Sequence, residues 1–510
     1  MPKITILCLC RTLLHASRLT PGTLMSGSFV GAILIFGVAI QAQQLAPKKA
    51  DERAQTTALT PEEQRSVNKA ISAGVAYLRR TQLPTGSWSP GGKPSTWTGT
   101  NPAAWPVGYC ALPALALLEC EVAPGDPAIQ NAARFVRQYI VNQTRTYEIS
   151  LAILFLDRLG QEKDRPLIRT LALRLAAAQS PQGGWGYYCP ILSPVLEKKV
   201  ENTLEKTKDE KDEKPFKFPS TKRAGERADN SNTQFAILAL WVARKQKLPL
   251  DFTFAQIERR FRSGQTGEGW DYRFWSRPTS GYGSMTCVGL LGLAVGRACS
   301  PELNGPDSKR SKPVDEGISS GLRALSAHMK HASDIGPGGR DLSLGPKGAL
   351  NLYFLWSVER VGVLLNLKTI GGKDWYRWGV DLLLPAQKED GSWVGRGNGI
   401  SPVIDTSMAL LFLKRSDLLP DLRETLGKRL KITDPGLDKA ISPGEKSKPK
   451  TGSDKKSPGE KNDLKDGIQK KDPPEKTGFS PPGLFPSAQP ELLAGPELPK
   501  GRYSYARAGH

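Results

Sequence analysis

A glutamine followed, after a short gap, by glycine and tryptophan recurs four times along this chain. The copies are Gln82 to Gly86-Ser87-Trp88, Gln179 to Gly183-Gly184-Trp185, a shortened one from Gln265 to Gly269-Trp270, and Gln387-Lys388-Glu389-Asp390-Gly391-Ser392-Trp393. Each closes an amphipathic helical stretch and, after a loop, precedes a more uniformly apolar one. Recurrence on this scale marks a repeat architecture, in which a unit buries its apolar face only by stacking on its neighbours. The residue types suit a joint between units. Glycine supplies the left-handed conformation that ends a helix, and tryptophan packs a large apolar surface between neighbours. The glutamine amide can hydrogen-bond backbone groups left unpaired at the next helix end.

Hydrophobic spacing fills in the units. Val67, Ile71, Val75 and Leu78 share one helical face, in a helix starting near Pro61 with Thr60 as its cap and Glu62-Glu63 in the first turn. Residues 105–119 are apolar on nearly every face, as in a fully buried helix. The pairing then repeats: 128–141 with 147–159, 167–178 with 234–243, 254–261 with 285–295, 314–329 with 350–365, and 375–383, ended near Pro385, with 406–413. The second and fifth pairs lack the glycine-tryptophan copy and rest on periodicity. Six amphipathic helices alternating with six apolar ones predict an all-α fold, an α/α toroid of six helical hairpins over residues 65–420. The apolar helices form its inner ring and the amphipathic helices its outer ring. A closed ring also removes the need for capping repeats.

Other segments read differently. Lys3, Arg11 and Arg18 precede an apolar run at 29–40, with a cleavage point after Ala42, so residues 1–45 are a signal peptide or, uncleaved, an N-terminal anchor. The run is shorter than the roughly 20 residues a membrane span needs. The chain is thus expected to be exported, either free outside the cytoplasm or held at a membrane by that segment. Residues 46–64 form a polar linker, 197–229 a dense Lys/Glu/Asp insertion expected to be disordered, and 434–510 a Pro/Lys-rich flexible tail. The net charge of +21 raises nucleic acid as a partner, but the basic residues are scattered and form no aromatic-interleaved stripe. Nucleic acid is therefore not expected. Beyond the leader, Cys110, Cys120, Cys189, Cys287 and Cys299 have no tight spacing and are expected to be free thiols.

The Gln-Gly-Trp copies, best at Ala76-Tyr77-Leu78 to Gln82 to Trp88 and at Leu382 to Gln387 to Trp393, resemble the prenyltransferase and squalene-cyclase repeat superfamily, whose signature ends in Q-x-x-x-G-x-W. The resemblance covers roughly residues 65–420 and implies the same toroid. Its enzymatic members fit poorly. The cyclase acid motif D-x-D-D has no counterpart, since no D-x-D occurs in the chain. The zinc-dependent transferases hold their metal with Asp, Cys and His; here Cys287 has Met285 where the aspartate would stand, and the sixth inner helix begins Asp405-Thr406 with no histidine. The thioester motif G-C-G-E-Q is absent as well. His328 and His331 lie three apart without a matching carboxylate or cysteine, so no metal and no cofactor are expected.

What remains is a set of polar residues at the inner helices. The candidates for chemistry are Glu148, Glu359, Asp405, Tyr147 and Tyr282, with Tyr109, Asn232, Gln234, Ser284 and Thr286 beside them. If Glu148, Glu359 and Asp405 converge on one central cavity, paired carboxylates would suit general acid–base work. Against this, Asp405 with Thr406 makes a good helix cap and Glu359-Arg360 an ordinary ion pair. Three functions stay open: binding of a ligand or protein in the mouth of the toroid, an enzyme acting on a prenyl lipid or a polysaccharide through carboxylates and tyrosines, or a scaffold whose flexible tail carries the interaction.

Overall fold

The computed structural model describes residues 59–89, 105–206, 218, 228–274, 282–299, 314–330, 350–395, 401–432 and 434. The chain divides into two units, Met1–Ala54 and Gln55–His510, and every described residue belongs to the second. The leader, most of the linker and all of the tail beyond Asp434 lie outside the described residues. Among the described residues no helix is long and apolar enough to cross a membrane.

The second unit is mostly helical. Amphipathic helices α1 (Pro61–Thr81), α3 (Pro127–Tyr139), α5 (Arg165–Ala177), α8 (Asp251–Ser263), α10 (Glu316–Lys330) and α12 (Trp375–Leu383) alternate with apolar helices α2 (Gly108–Glu119), α4 (Thr146–Leu159), α7 (Asn230–Ala243), α9 (Gly283–Cys299), α11 (Leu352–Leu364) and α13 (Pro402–Lys414). Every residue of α2 and α7 is buried, whereas α1 buries only Val67, Ala70, Gly74, Tyr77 and Leu78. Among the apolar helices α2 packs on α4, α4 on α7, α7 on α9, α9 on α11 and α11 on α13; α13 packs on α2. Of the amphipathic helices, α1 lies on α13 and α2, α3 on α2, α5 on α4 and α7, α8 and α10 on α9, and α12 on α11 and α13.

The recurring glutamine, glycine and tryptophan make the same bonds in successive copies. Each indole N–H donates to a carbonyl at the end of the preceding helix: Trp88 to Leu78, Trp185 to Leu175, Trp270 to Phe261 and Trp393 to Leu383, at 2.7–2.8 Å. All four rings are at most 1% exposed. The glutamine amides reach the next amphipathic helix, Gln82 donating to Ala128 O, Gln179 to Thr253 O, Gln265 to Gly317 O, and Gln387 to Ala70 O of α1, at 2.7–3.0 Å. These carbonyls lie inside helices and already accept the helical bond from four residues on. The glutamine therefore adds a second bond to a helical carbonyl, where an unpaired end group was expected.

The glycines are required twice over. Gly86, Gly183 and Gly391 have φ of 92°, 76° and 85°. A Cβ on any of them would also come within 2.1–2.4 Å of a backbone oxygen of that neighbouring helix, at Asn131, Gln256 or Ala73. The shortened copy differs: a Cβ on Gly269 would strike Thr286 Oγ1 instead. The fourth copy joins the last repeat to the first helix, and Arg377 of α12 reinforces it by pairing with Glu63 at 2.7 Å.

Three elements depart from expectation. α6 (Pro194–Lys206) occupies the start of the charged insertion expected to be disordered; its Lys and Glu residues are good helix formers, and Val200 is buried. β1 (Thr369–Ile370) and β2 (Lys373–Asp374) form a hairpin around Gly371-Gly372, both with positive φ as a two-residue turn requires. Asp434 accepts from Gly371 N and Gly372 N at 2.7 and 2.8 Å, which fixes the first residue of the tail against that turn. α14 (Pro420–Arg429) packs on α9 and α11 through Leu422 and Leu426.

Candidate functional site

The apolar helices present their N-terminal turns to one another. Glu148, in the first turn of α4, accepts from Val107 N before α2 at 2.9 Å. Tyr147 beside it donates to Ser231 of α7 at 2.8 Å, and Ser231 donates to Tyr353 at the start of α11 at 3.0 Å. Tyr109 of α2 is bonded to Ser401, the residue that caps α13. Loops following the second and third tryptophans run through the same region: Asp229 N donates to Trp185 O and Asn230 N to Tyr272 O, at 2.9 and 2.8 Å.

One side of this end is acidic. α2 has no side-chain cap of its own, so Glu148 from the neighbouring helix satisfies its leading N–H groups and meets the positive end of its dipole. Burial nevertheless dominates and raises the Glu148 carboxyl to about 7. Its second oxygen, Oε2, is buried with no hydrogen-bond partner. Asp405 in the first turn of α13 accepts from Gly395 N at 2.9 Å, and burial raises it to about 7 as well. Asp405 is not the cap of α13. Ser401 is, while Thr406 accepts from Trp393 N at 3.0 Å.

The other side is aromatic and hydroxylated. Tyr147 donates to Ser231, Ser231 to Tyr353, and Tyr353 to Gln234 Oε1 at 2.5 Å. Tyr187 and Tyr272 share a second hydroxyl bond of 3.0 Å. Behind them Trp105, Tyr147 and Tyr187 pack edge to face with centroids 5.8–6.1 Å apart, and Phe235 stacks on Trp356 at 5.3 Å. The guanidinium of Arg145 lies 4.2 Å over Trp105. Desolvation lifts Tyr147, Tyr272 and Tyr353 well above the ordinary phenol value and Tyr187 to about 12, so none is a tyrosinate near neutrality. Asp229 caps α7 by accepting from Asn232 N and Nδ2 at 2.8 Å, and burial raises it to about 6.

Of the expected residues, Glu148, Tyr147 and Asp405 thus sit at this end. So does Tyr282, half-buried ahead of α9, whose N–H donates to Trp270 O at 3.1 Å. Glu359 does not join them. It lies seven residues into α11, about 10 Å along the axis. There it pairs with Arg360 at 2.7 Å, near Glu119 at the end of α2 and Asp417 beyond α13. The sequence reading missed Asp229, counted as part of the insertion, together with Tyr187, Tyr272, Tyr353, Trp105 and Arg145. A signal existed for two of them: the second and third copies read Trp185-Gly186-Tyr187 and Trp270-Asp271-Tyr272, a tyrosine two residues after each tryptophan.

The chemistry on offer is hydrogen bonding more than acid or thiolate catalysis. A carboxyl raised to about 7 is a weaker acid than usual, ill suited to protonating an alkene. Burial pushes the Cys287 thiol well above its ordinary value, so without a metal it is protonated near neutrality. Among the described residues no three His, Cys, Asp or Glu side chains gather as metal ligands; His331 lies outside them. No protein-family model matches the chain, and no curated protein is detectably similar to it.

Proposed function

We propose that the chain is an α/α toroid of the prenyltransferase and squalene-cyclase repeat type that binds a ligand at the mouth marked by the N-terminal ends of its inner helices. Support for the toroid comes from the contact succession α2, α4, α7, α9, α11, α13 and back to α2, and from the recurring Gln–Gly–Trp joints whose last copy bonds α1. Support for the mouth comes chiefly from one observation: Tyr187, Tyr272, Tyr282, Tyr353 and Asp405 remain half-buried around the N-terminal ends of the apolar helices. The reading is of an exported binding protein without cyclase or zinc-transferase chemistry, with the leader supplying export or a membrane anchor.

The test uses the full-length protein, with melting temperature and tryptophan fluorescence followed against geranylgeraniol, geranylgeranyl diphosphate, cellohexaose and maltohexaose. At least one probe should raise the melting temperature. The rise should vanish in a Tyr187→Phe/Tyr272→Phe variant and persist in Asp421→Asn at the opposite ends of the helices. A rise that survives the tyrosine changes would place binding elsewhere and defeat the reading.

A second reading, an enzyme of this fold acting on a prenyl lipid or a polysaccharide, is favoured by Glu148, whose partnerless Oε2 and value near 7 suit proton transfer. Turnover of a bound probe that disappears in Glu148→Gln, with binding retained, would select it.

A further inference from the structure

The mouth offers a ligand a particular set of hydrogen-bonding groups, and their direction is set by one atom. Gln234 Oε1 can only accept, so the Tyr353 hydroxyl must donate to it. That leaves Ser231 to donate to Tyr353 and Tyr147 to donate to Ser231. Every proton of the chain is spent inward, while the hydroxyl oxygens retain lone pairs. Tyr187 and Tyr272 are bonded to each other, and Tyr272 is also bonded to the Asp229 carboxylate, which can only accept; Tyr272 therefore donates to Asp229 and Tyr187 to Tyr272. A ligand meeting this wall must therefore bring donors.

Other ligand classes match less well. A prenyl chain needs open apolar space, yet Trp105, Tyr147, Phe235 and Trp356 are at most 3% exposed and packed ring on ring. What stays half-exposed is the hydroxyl-bearing tyrosines. A phosphate or diphosphate brings only acceptors, and the carboxyls of Glu148 and Asp405 lie at the same helix ends, while the Arg145 guanidinium is taken up over Trp105. An alkylammonium would want a free aromatic face, but the Trp105 face carries Arg145, and the exposed Arg273 stands beside the Tyr272 loop.

We infer that the mouth selects an uncharged, polyhydroxylated ligand, a neutral glycan, recognised by hydroxyl protons donated to the Tyr353 and Tyr187–Tyr272 oxygens. The inference rests on the proposed mouth site and names its ligand class. Tyrosine suits the task, since it offers a rigid, amphipathic contact with little side-chain entropy to lose.

The experiment is affinity electrophoresis of the full-length protein through neutral α- and β-glucan, mannan, xylan and galactan, followed by titration with hexasaccharides of any polymer that retards it. At least one should bind. Tyr353→Phe and Tyr187→Phe should each weaken binding about tenfold, the loss of one hydrogen bond. The permethylated hexasaccharide, which keeps its acceptors but has no donors, should not compete. Vesicles bearing a digalactosyl lipid, set against plain phosphatidylcholine, separate a glycolipid headgroup from a free chain as the source. Retardation by none of the polymers, equal competition by the permethylated sugar, or binding indifferent to both tyrosine changes would each overturn the inference. Mouth-dependent binding of geranylgeraniol, geranylgeranyl diphosphate or choline alone would overturn it too, while leaving the mouth site standing.

Discussion

At the N-terminal ends of the apolar helices the carboxyls of buried Glu148 and Asp229 and half-buried Asp405 take backbone N–H groups as partners, whereas at the other end Glu359 takes a guanidinium. Helix polarity explains the contrast. Leading turns leave N–H donors free and carry the positive end of the dipole; final turns leave carbonyls free and carry the negative end. Cations accordingly serve the far end: Arg360 donates to Ser416 O, Arg429 to Ala298 O at 2.5 Å, and Lys414 pairs with Glu121 at 3.0 Å. A carboxyl placed there sits beside a cation, Glu359 beside Arg360 and Glu121 beside Lys414. The far end is also closed by α14, with Asp421 held by Trp241 and Arg244 at 3.1 and 2.5 Å. One end pairs its charged groups with one another; the other keeps polar groups within reach of solvent.

The contrast is broken most severely at Glu359. Glu359→Ala would strand the buried Arg360 cation and should cost about 3–5 kcal/mol in urea unfolding. A loss below about 1 kcal/mol would mean that the pair is not truly desolvated. A smaller effect should come from pH. Glu359 is raised to about 8, Glu148 and Asp405 to about 7 and Asp229 to about 6, so the unfolded chain ionises first as pH rises. Stability should therefore be highest near pH 5 and fall progressively toward pH 8. Below about pH 4 it should fall again as Glu63, Asp315 and Asp390, whose carboxyls are lowered, take up protons. Melting temperatures that climb steadily from pH 5 to 8 would contradict the raised carboxyls.

Finer changes sharpen the contrast. Glu148→Ala removes the borrowed cap of α2 and should cost about 1–2 kcal/mol, with a matching loss of amide protection at Val107 and Gly108. Glu148→Gln, which keeps an acceptor, should cost less. At the far end, Asp421→Asn breaks an ion pair whose members are 39% and 43% exposed, so its cost should stay within about 1 kcal/mol. A double-mutant cycle of Arg244 and Asp421 measures it.

The helical alternation was readable because each amphipathic helix shows its face at a spacing of three and four residues, as Val67, Ile71, Val75 and Leu78 do. α14 escaped because it buries only Leu422 and Leu426, and α6 because Val200 stands nearly alone in charged sequence. The Gly371-Gly372 turn is legible in principle, as a glycine pair between short β-capable segments. Half of the candidate site was visible as polar residues opening apolar helices, Tyr147, Glu148 and Asp405 among them. Glu359 was grouped with these because periodicity places residues on a helix without saying at which end they meet a neighbour. Asp229 was hidden by its charged surroundings, since only the fold shows that the insertion returns to the core at that carboxylate.

The bond from Gln387 to Ala70 spans 317 residues of sequence, and it has a consequence for how the protein is made. α1 is the first of the described helices to emerge from the ribosome, yet the glutamine, glycine and tryptophan that pin it follow α12. Until they arrive, the faces of α1 and α2 that meet α13 stay uncovered. Co-translational folding must then pause with one seam open, so chains truncated before Trp393 should be held by chaperones or degraded, not accumulate as shorter folded arrays.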